Sequence, residues 1–541
     1  MAKPRFVPHP KDVADAFVAR GHWNDDTTWG WLDDGASLAP EKAAVQEASG
    51  RSCTYSALSS ASHRFANALL EIGLRKGDVV AIQLQSCIEF LIVYFGVTRM
   101  GGVLATMHMP FRQGELNTLL RFSEAKAVIC GAATEKYDGP SLMQQLRETI
   151  PDLKHIIIAG SGQASDGCLH MPEMIEAHAS RPVADPPVAS DPALLCFTSG
   201  TSSAPKAVAH TYETLAADAR IHAGALGLTP DDRSMIAPPF THIFGLECVN
   251  NAVHTGGTVL PLDHFTPALY ADMLEKLRPT IVYSAPAHLA ATLKAEELHG
   301  RDLRSIRHII LGGSLCPPHL AREFETYLPN GGVGNLFGMT ESLIVTQTPI
   351  DGTPEVRHST VGCPIPGIEA RVVDTNDQRV EEDQEGELQL RGPTIMTGYL
   401  RNDAANAKAF TSDSWFRTGD LAMWDGKGNI VITGRMTDVI NRGGVKINPS
   451  DIENAISEHK NVVHAALVPV PDDVLGERSC AVVTLVHGTA LTLDELCDFL
   501  GERGIAKVRW PERLVFVDEM PMTPTKKIIK ADLRRRLREL Q

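Results

Sequence analysis

Short apolar runs bounded by turn residues alternate with amphipathic segments from about Thr54 to Pro449. VVAIQLQ (79–85) predicts a strand, and IEFLIVYFGVTRMG after it predicts a helix closed by Gly101 and Gly102. AKAVIC, LKHIIIAG, DPALLCF, TIVYSAP and IRHIILGG are further strand candidates. Buried apolar strands alternating with helices predict a largely parallel α/β sheet. Between Gly362 and Gly392 the pattern shifts. IEARVVD, GELQLRG and, further on, NIVITG alternate or run short between turn residues, which predicts a small β-rich subdomain. Near Arg435 a further change begins. Ser450 and Glu453 in SDIENAI, and Thr492 and Glu495 in LTLDELCDFL, have capping-box spacing. VVHAALVPV, CAVVTLV and RLVFVDEM read as strands around them. The expected fold is α/β: a large N-terminal domain (1–435) of α/β subdomains plus the β-rich subdomain, then a small α+β C-terminal domain (436–541).

A length of 541 residues exceeds what one core serves, in keeping with two or more domains. A net charge of −15 argues against nucleic acid as a partner, and a polyanion such as ATP would need a local positive site. The ten cysteines form no C-x-x-C pair, which disfavours structural zinc and favours reduced thiols. No apolar stretch approaches membrane-span length, and the start lacks a secretory h-region. A soluble cytoplasmic enzyme is the expectation.

The stretch CFTSGTSSAPKAVAH (196–210) sets hydroxyls around Gly200 and follows them with Lys206. It lies after the DPALLCF strand and before the helical pattern YETLAADARIHA, where backbone N–H groups favour phosphate. It is not a Walker A loop. The spacing T-S-G-T-S-S-x-P-K resembles the phosphate loop of the adenylate-forming enzymes: acyl-CoA synthetases, aryl-acid and amino-acid adenylation domains, and luciferases. Other stretches resemble that family's motifs, in the family's order. They are PPFTHIFGL (238–246), NLFGMTE (335–341), GCPIPG (362–367), GELQLRGPTIMTGYL (386–400), WFRTGD (415–420), GRMTDVINRGGVKINPSDIE (434–453) and PMTPTKKIIKADL (521–533). Singly each has an ordinary reading: His242 a core histidine, Glu341 a surface carboxylate, the 526–538 region a solvated basic helix. Their joint occurrence carries the resemblance over nearly the whole chain.

The resemblance implies roles residue by residue. Thr198, Ser199, Gly200, Thr201, Ser202 and Lys206 would hold phosphates. Asn335 and Phe337 would contact adenine, and Thr340 phosphate. Glu341 would hold Mg²⁺, Asp420 the ribose hydroxyls, and Arg435 ribose or phosphate. His242 is the recurring substrate-side ring, and Lys527 the catalytic lysine carried by a mobile lid that hinges at Thr437. Gly443 and Gly444 would admit the pantetheine arm of CoA. Ile243, Phe244, Tyr283, Gly312, Gly313, Gly338 and Met339 are the expected acyl pocket. Ile243 stands where related domains carry Asp or Asn, which implies an acid apolar near its carboxylate. Ser203, Ala207 and Lys526 replace glycines usual in the family, and the first two are expected to stiffen the phosphate loop. The implied activity is acyl-CoA formation from a carboxylic acid, ATP, Mg²⁺ and CoA. The alternatives are loading of a separate acyl-carrier protein, the thioester half-reaction alone, and a nucleotide-binding regulatory protein. A homodimer stays open.

Overall fold

The computed structural model describes residues 9–160, 167–198, 206–314, 316–472, 474–523 and 527–539. Two mixed sheets form the body. In the first, the strands Gly332–Met339, His308–Leu311, Ile281–Ser284, Arg233–Ile236, Thr258–Pro261 and Ala43–Gln46 run parallel. Antiparallel strands close both edges: Leu343–Gln347 and Cys363–Pro364 at one, Ser52–Thr54 at the other. In the second sheet, Leu169–His170, His155–Ala159, Ala127–Gly131, Val79–Gln83, Val103–Thr106 and Pro192–Thr198 are parallel neighbours. Lys206–Thr211 ends that sheet as an antiparallel strand.

The helix Ile88–Arg99 shows why these sheets come together. It is apolar on every face, and all its residues but Glu89 are buried. Such a helix must be enclosed on all sides. One continuous core joins it and the helix Ile243–His254 to Val80, Ile82 and Leu194 of one sheet and Ile236, Ile281 and Ile310 of the other.

The expected β-rich subdomain is a four-stranded antiparallel sheet of Glu369–Val373, Gly386–Arg391, Phe416–Trp424 and Ile430–Arg435. Beyond it, Val462–Asp472 and Gly476–Leu485 form a long hairpin, joined by Arg513–Phe516 and by the short pair Ile440–Arg442 and Val445–Ile447. The helices Pro449–Ser457, Leu493–Glu502 and Lys530–Glu539 accompany this sheet.

Two local expectations are corrected. The stretch after DPALLCF does not lead from strand to helix: it joins Pro192–Thr198 to Lys206–Thr211 as a hairpin, with Thr198 opposite Lys206, and the helix Tyr212–Ala225 starts later. Ser450 is not an N-cap. Asn448 caps that helix by accepting from the Ser450 N–H, and Pro449 takes the first helical position, which suits its fixed φ and missing donor. Glu453 instead accepts from Leu467 N at 2.6 Å and pairs with Lys530 at 2.7 Å. The Thr492–Glu495 capping box forms as expected.

Arg99, 1% exposed, makes two bonds to Asp33 at 2.6 and 2.9 Å and a third to Ser62. Burial alone would raise the Asp33 carboxyl, but His63 and Arg99 hold it well below the usual carboxylate range. Asp33→Ala leaves the guanidinium buried and unpaired, and is expected to destabilise by about 3–5 kcal/mol. Urea unfolding should show the midpoint fall, and Asp33→Ala/Arg99→Met should recover much of it.

Candidate active site

Three parts of the chain meet at the hairpin between Gly332–Met339 and Leu343–Gln347. Its turn carries Thr340 and Glu341. His210, from Lys206–Thr211, donates from Nε2 to the Thr340 carbonyl at 2.7 Å. Met396 N donates to the Glu341 carbonyl at 2.8 Å, and the Tyr399 hydroxyl donates to Glu341 Oε1 at 2.8 Å. Tyr399 in turn bridges to Val208, and Leu400 N donates to Ala207 O at 2.8 Å. Lys206 Nζ sits 5.0 Å from the centre of the Tyr399 ring. Lys206 and Glu341 thereby share one tyrosine, the lysine at its ring and the carboxylate at its hydroxyl. Burial raises the Glu341 carboxyl, while Tyr399, Lys206 and Arg435 pull it back down.

Ala207 corrects the expected effect on loop stiffness. It lies in a strand, is fully buried, and packs in the core beside Leu195 and Leu400. Its methyl group therefore acts on the sheet. Ser199, Gly200, Thr201, Ser202, Ser203 and Lys526 lie outside the described residues.

Asp420 and Arg435 face each other across the antiparallel pair Phe416–Trp424 and Ile430–Arg435, with Arg435 Nε 2.9 Å from Asp420 Oδ1. Burial raises the Asp420 carboxyl, opposed by Arg435 and Lys527. Lys527 comes from the C-terminal part. Its backbone is fixed by paired bonds with Thr523: Thr523 N donates to Lys527 O at 2.7 Å, and Lys527 N donates to Thr523 Oγ1 at 3.0 Å. Burial and then Arg435 lower the Lys527 ammonium to about 8, although Asp420 and Asp438 favour the charge. Lys527 also bears on His242, whose ring burial, His108 and Lys527 together push down to about 3. The cleft thus gathers Lys527, Arg435, Asp420 and His242 from separate elements.

His242 caps the helix Ile243–His254, its Nδ1 accepting from Phe244 N at 3.2 Å. Gly245 is required by close approach, since a Cβ there would lie 2.3 Å from Pro239 O. His108 stacks on His242 with ring centres 6.1 Å apart and bonds Thr241 at 3.1 Å. On the acid side, Phe244 and Tyr283 meet edge to face at 6.2 Å, and a Cβ on Gly312 would press on Phe244 at 3.0 Å. Gly313 is exposed at φ +84° with open space before it. A Cβ on Gly338 would lie 2.4 Å from Leu343 O. Ile243 is buried, while Phe337 and Met339 are partly buried against the β-rich subdomain.

Other expected residues have structural partners. Asn335 Nδ2 donates to Arg357 O at 2.9 Å and to Thr360 O, so its side chain ties the sheet edge. The Thr437 carbonyl accepts from Arg534 at 3.2 Å. Gly443 and Gly444 form an exposed two-residue turn with φ +56° and +91°. A turn with two positive φ angles demands such residues by itself. Sequence reasoning missed His108, His210 and Tyr399. All three follow strands or lie inside quoted motifs, and His108 stands just past the carboxyl end of a parallel strand, the usual ligand side of such a sheet.

Two measurements test these electrostatics. Competitive acetylation of Lys527 across pH, read by peptide mass spectrometry, should give a midpoint near 8. Arg435→Gln should move it upward. Six histidines withdrawn from solvent, His210, His222 and His308 fully and His9, His108 and His242 partly, also titrate low: His9, His108 and His210 at about 4, and His222, His242 and His308 at about 3. The unfolded chain protonates these rings near pH ~6.5 while the folded chain keeps them neutral. The stability advantage of the wild type over His210→Gln in urea unfolding should therefore be flat above that pH and shrink as pH drops toward 4.

Residues 32–400 match the AMP-binding enzyme family, and residues 451–527 match the AMP-binding enzyme C-terminal domain. The chain is 32% identical to a 2-hydroxy-7-methoxy-5-methyl-1-naphthoate–CoA ligase of Streptomyces carzinostaticus, over 98% of this chain and 96% of that protein. It is 31% identical to a salicyl-AMP ligase / salicyl-S-ArCP synthetase of Mycobacterium tuberculosis, over 98% and 94%. Its fold is similar to that of ATP-bound MatB from Rhodopseudomonas palustris, with TM-score 0.86, 26% identity, and 96% and 100% of the two chains covered. The chain belongs to the AMP-binding enzyme family, within the adenylate-forming superfamily of AMP-forming ligases.

Proposed function

We propose that this chain activates a carboxylic acid, apolar next to its carboxylate, with ATP, and passes the acyl group to CoA. The observation that carries the reading is the convergence of a partly buried Lys527 with Arg435, Asp420 and His242. A carboxylate and a triphosphate are both anionic, so their reaction needs fixed positive charge and positioning. A carboxylate oxygen attacks the α-phosphorus, the bond from that phosphorus to the bridging oxygen breaks, and pyrophosphate leaves with the electron pair. Lys527 spans the carboxylate and the α-phosphate. Thr198, Lys206 and the hydroxyls Ser199, Thr201 and Ser202 with Gly200 hold the leaving phosphates, and Thr340 the α-phosphate. Phe337 and Asn335 flank adenine, Asp420 takes the ribose hydroxyls, and Arg435 steadies Asp420.

Glu341 fits Mg²⁺. No cluster of three or more metal-ligating side chains stands among the described residues, and Mg²⁺ is commonly held by one or two carboxylates with substrate phosphates and water. When bound it supplies charge neutralisation to the phosphates. Glu341, oriented by Tyr399, offers the protein oxygen.

In the second step the CoA thiol sulfur attacks the acyl carbon of the mixed anhydride and AMP departs. We place the division between the body and a mobile lid after Arg435, with Thr437 as hinge and the Gly443–Gly444 turn on the thiol side. The naphthoate–CoA ligase relative supports CoA as acceptor, and the salicyl-S-ArCP synthetase supports a carrier protein. The strand position of Ala207 weighs against the thioester-only reading, because its methyl group lies in the core and not in the phosphate loop.

Product mass spectrometry with ATP, Mg²⁺, CoA and a panel of acids tests this. Acyl-CoA and AMP should appear together, and Lys527→Ala should lower both at least about a hundredfold. Acyl-AMP accumulating without acyl-CoA would move the acceptor to a carrier protein. Acyl-CoA formed only from synthetic acyl-adenylate would leave the second half-reaction alone.

A further inference from the structure

Behind the acid side of the cleft, the helices Tyr212–Ala225 and Ile243–His254 meet through polar side chains. Asp218 and His222 come from the first, Glu247, Asn250 and Asn251 from the second, and none is more than 3% exposed. Asn251 Nδ2 donates to His222 Nδ1 at 2.9 Å, which places the ring proton on Nε2. That Nε2 has no partner among the described residues. Tyr94 donates to Asn250 Oδ1 at 3.0 Å, and Asn250 Nδ2 has no further partner among them. Ile344 N donates to Asp218 Oδ1 at 3.1 Å, whereas Glu247 Oε1 has no partner among the described residues. A buried polar group without a bond costs on the order of 1–3 kcal/mol. Several such groups together imply an occupant that bonds them.

The cluster adjoins the acid side. Glu247 stands one helical turn beyond Ile243, roughly 6 Å along the axis. Rings connect the two places: Gly312 abuts Phe244, Phe244 meets Tyr283, and Tyr283 meets His222 with centres 6.0 Å apart. Ile344 follows Leu343, whose carbonyl lies against Gly338.

We propose that this cluster is the distal floor of the acid pocket, and that the acid carries a hydroxyl group remote from its carboxylate, received by Glu247 and His222. The inference rests on the ligase reading. A hydroxyl can accept from His222 Nε2–H and donate to Glu247 Oε1 at once. An alkyl end does neither. A second carboxylate would lose its hydration in a fully buried site, a cost that a neutral hydroxyl does not incur. An ammonium cannot accept from the imidazole N–H. Burial raises both carboxyls, Glu247 further through Asp218, and Asp218 reaches about 8. Desolvation thus favours the neutral, protonated forms at this floor. Ile243 keeps the region beside the carboxylate apolar, so the pocket has an apolar wall and a polar end.

The test is pyrophosphate release by the full chain with ATP and Mg²⁺, using acids paired by one hydroxyl. The pairs are hexanoate with 6-hydroxyhexanoate, benzoate with 4-hydroxybenzoate, and 3-phenylpropanoate with 3-(4-hydroxyphenyl)propanoate. The expected result is a kcat/KM favouring the hydroxylated member of at least one pair by about tenfold or more, as sites built to bond a hydroxyl show. Glu247→Leu should bring that ratio near unity, and Glu247→Gln should keep part of it. His222→Leu gives the same reading if Glu247→Leu does not fold, and the wild-type ratios decide without either. Turnover with the parent acid equal or preferred in every pair overturns the inference, leaving a buried water as occupant, as does a ratio unchanged in Glu247→Leu. Absence of pyrophosphate release with every acid overturns the ligase reading itself, and this inference with it.

Discussion

Burying the Lys527 ammonium is the constraint on which the cleft depends. Desolvation is the largest influence on it and Arg435 opposes it further, so Asp420 and Asp438 alone do not fully offset its burial. A site that brings two cations close is prepared for a polyanion. The acidic protein concentrates Lys206, Arg435 and Lys527 around one hollow while its net charge is −15. The arrangement is held from outside the cleft. Asn448 donates to Thr433 O at 2.7 Å, tying the C-terminal part to the β-rich sheet, and Arg534 pairs with Asp438 at 3.1 Å within the C-terminal part.

The rest of the cleft depends on neutrality. His210, buried, and His242 and His108, partly buried, are uncharged near neutral pH, so they orient backbone and side chains without adding charge beside Lys527. His210 fixes the Thr340 carbonyl, and Tyr399 fixes Glu341. One hairpin turn therefore has Thr340 and Glu341 set by partners 130 and 58 positions away in sequence. Separate sheets must dock correctly before the turn takes its working shape.

That dependence explains what the sequence could reveal. The parallel strands were legible because strands buried on both faces must be apolar throughout, as in VVAIQ and HIIIA. The sheet around Asp420 was legible from short alternating runs. The hairpin at Lys206–Thr211 was not, because KAVAHT becomes a strand only by pairing with Pro192–Thr198. Ser450 had the spacing of a cap, but Pro449 moved the helix start and Lys530 took Glu453. His108 and Tyr399 were missed because their partners are distant in sequence. Asp218 and Glu247 read as ordinary polar positions on helices. Only the docking of the two helices puts both carboxyls in the core.

The Gly443–Gly444 turn shows how one feature satisfies two demands. Its positive φ angles close the hairpin Ile440–Ile447, so local geometry already requires glycine. In the arrangement seen here the turn is exposed and Lys527 is partly buried. On the proposed reaction, the thiol step needs the reverse. The elements that would carry this exchange are joined around Thr437: Arg534 of the last helix bonds both the Thr437 carbonyl and Asp438, and Lys530 reaches Asp438 and Glu453. A rotation at Thr437 therefore moves the last helix, the glycine turn and the Lys527 segment as one body. On that proposal the lysine would leave the cleft because it is tied to the piece that would bring the turn in, and the two steps would exclude each other.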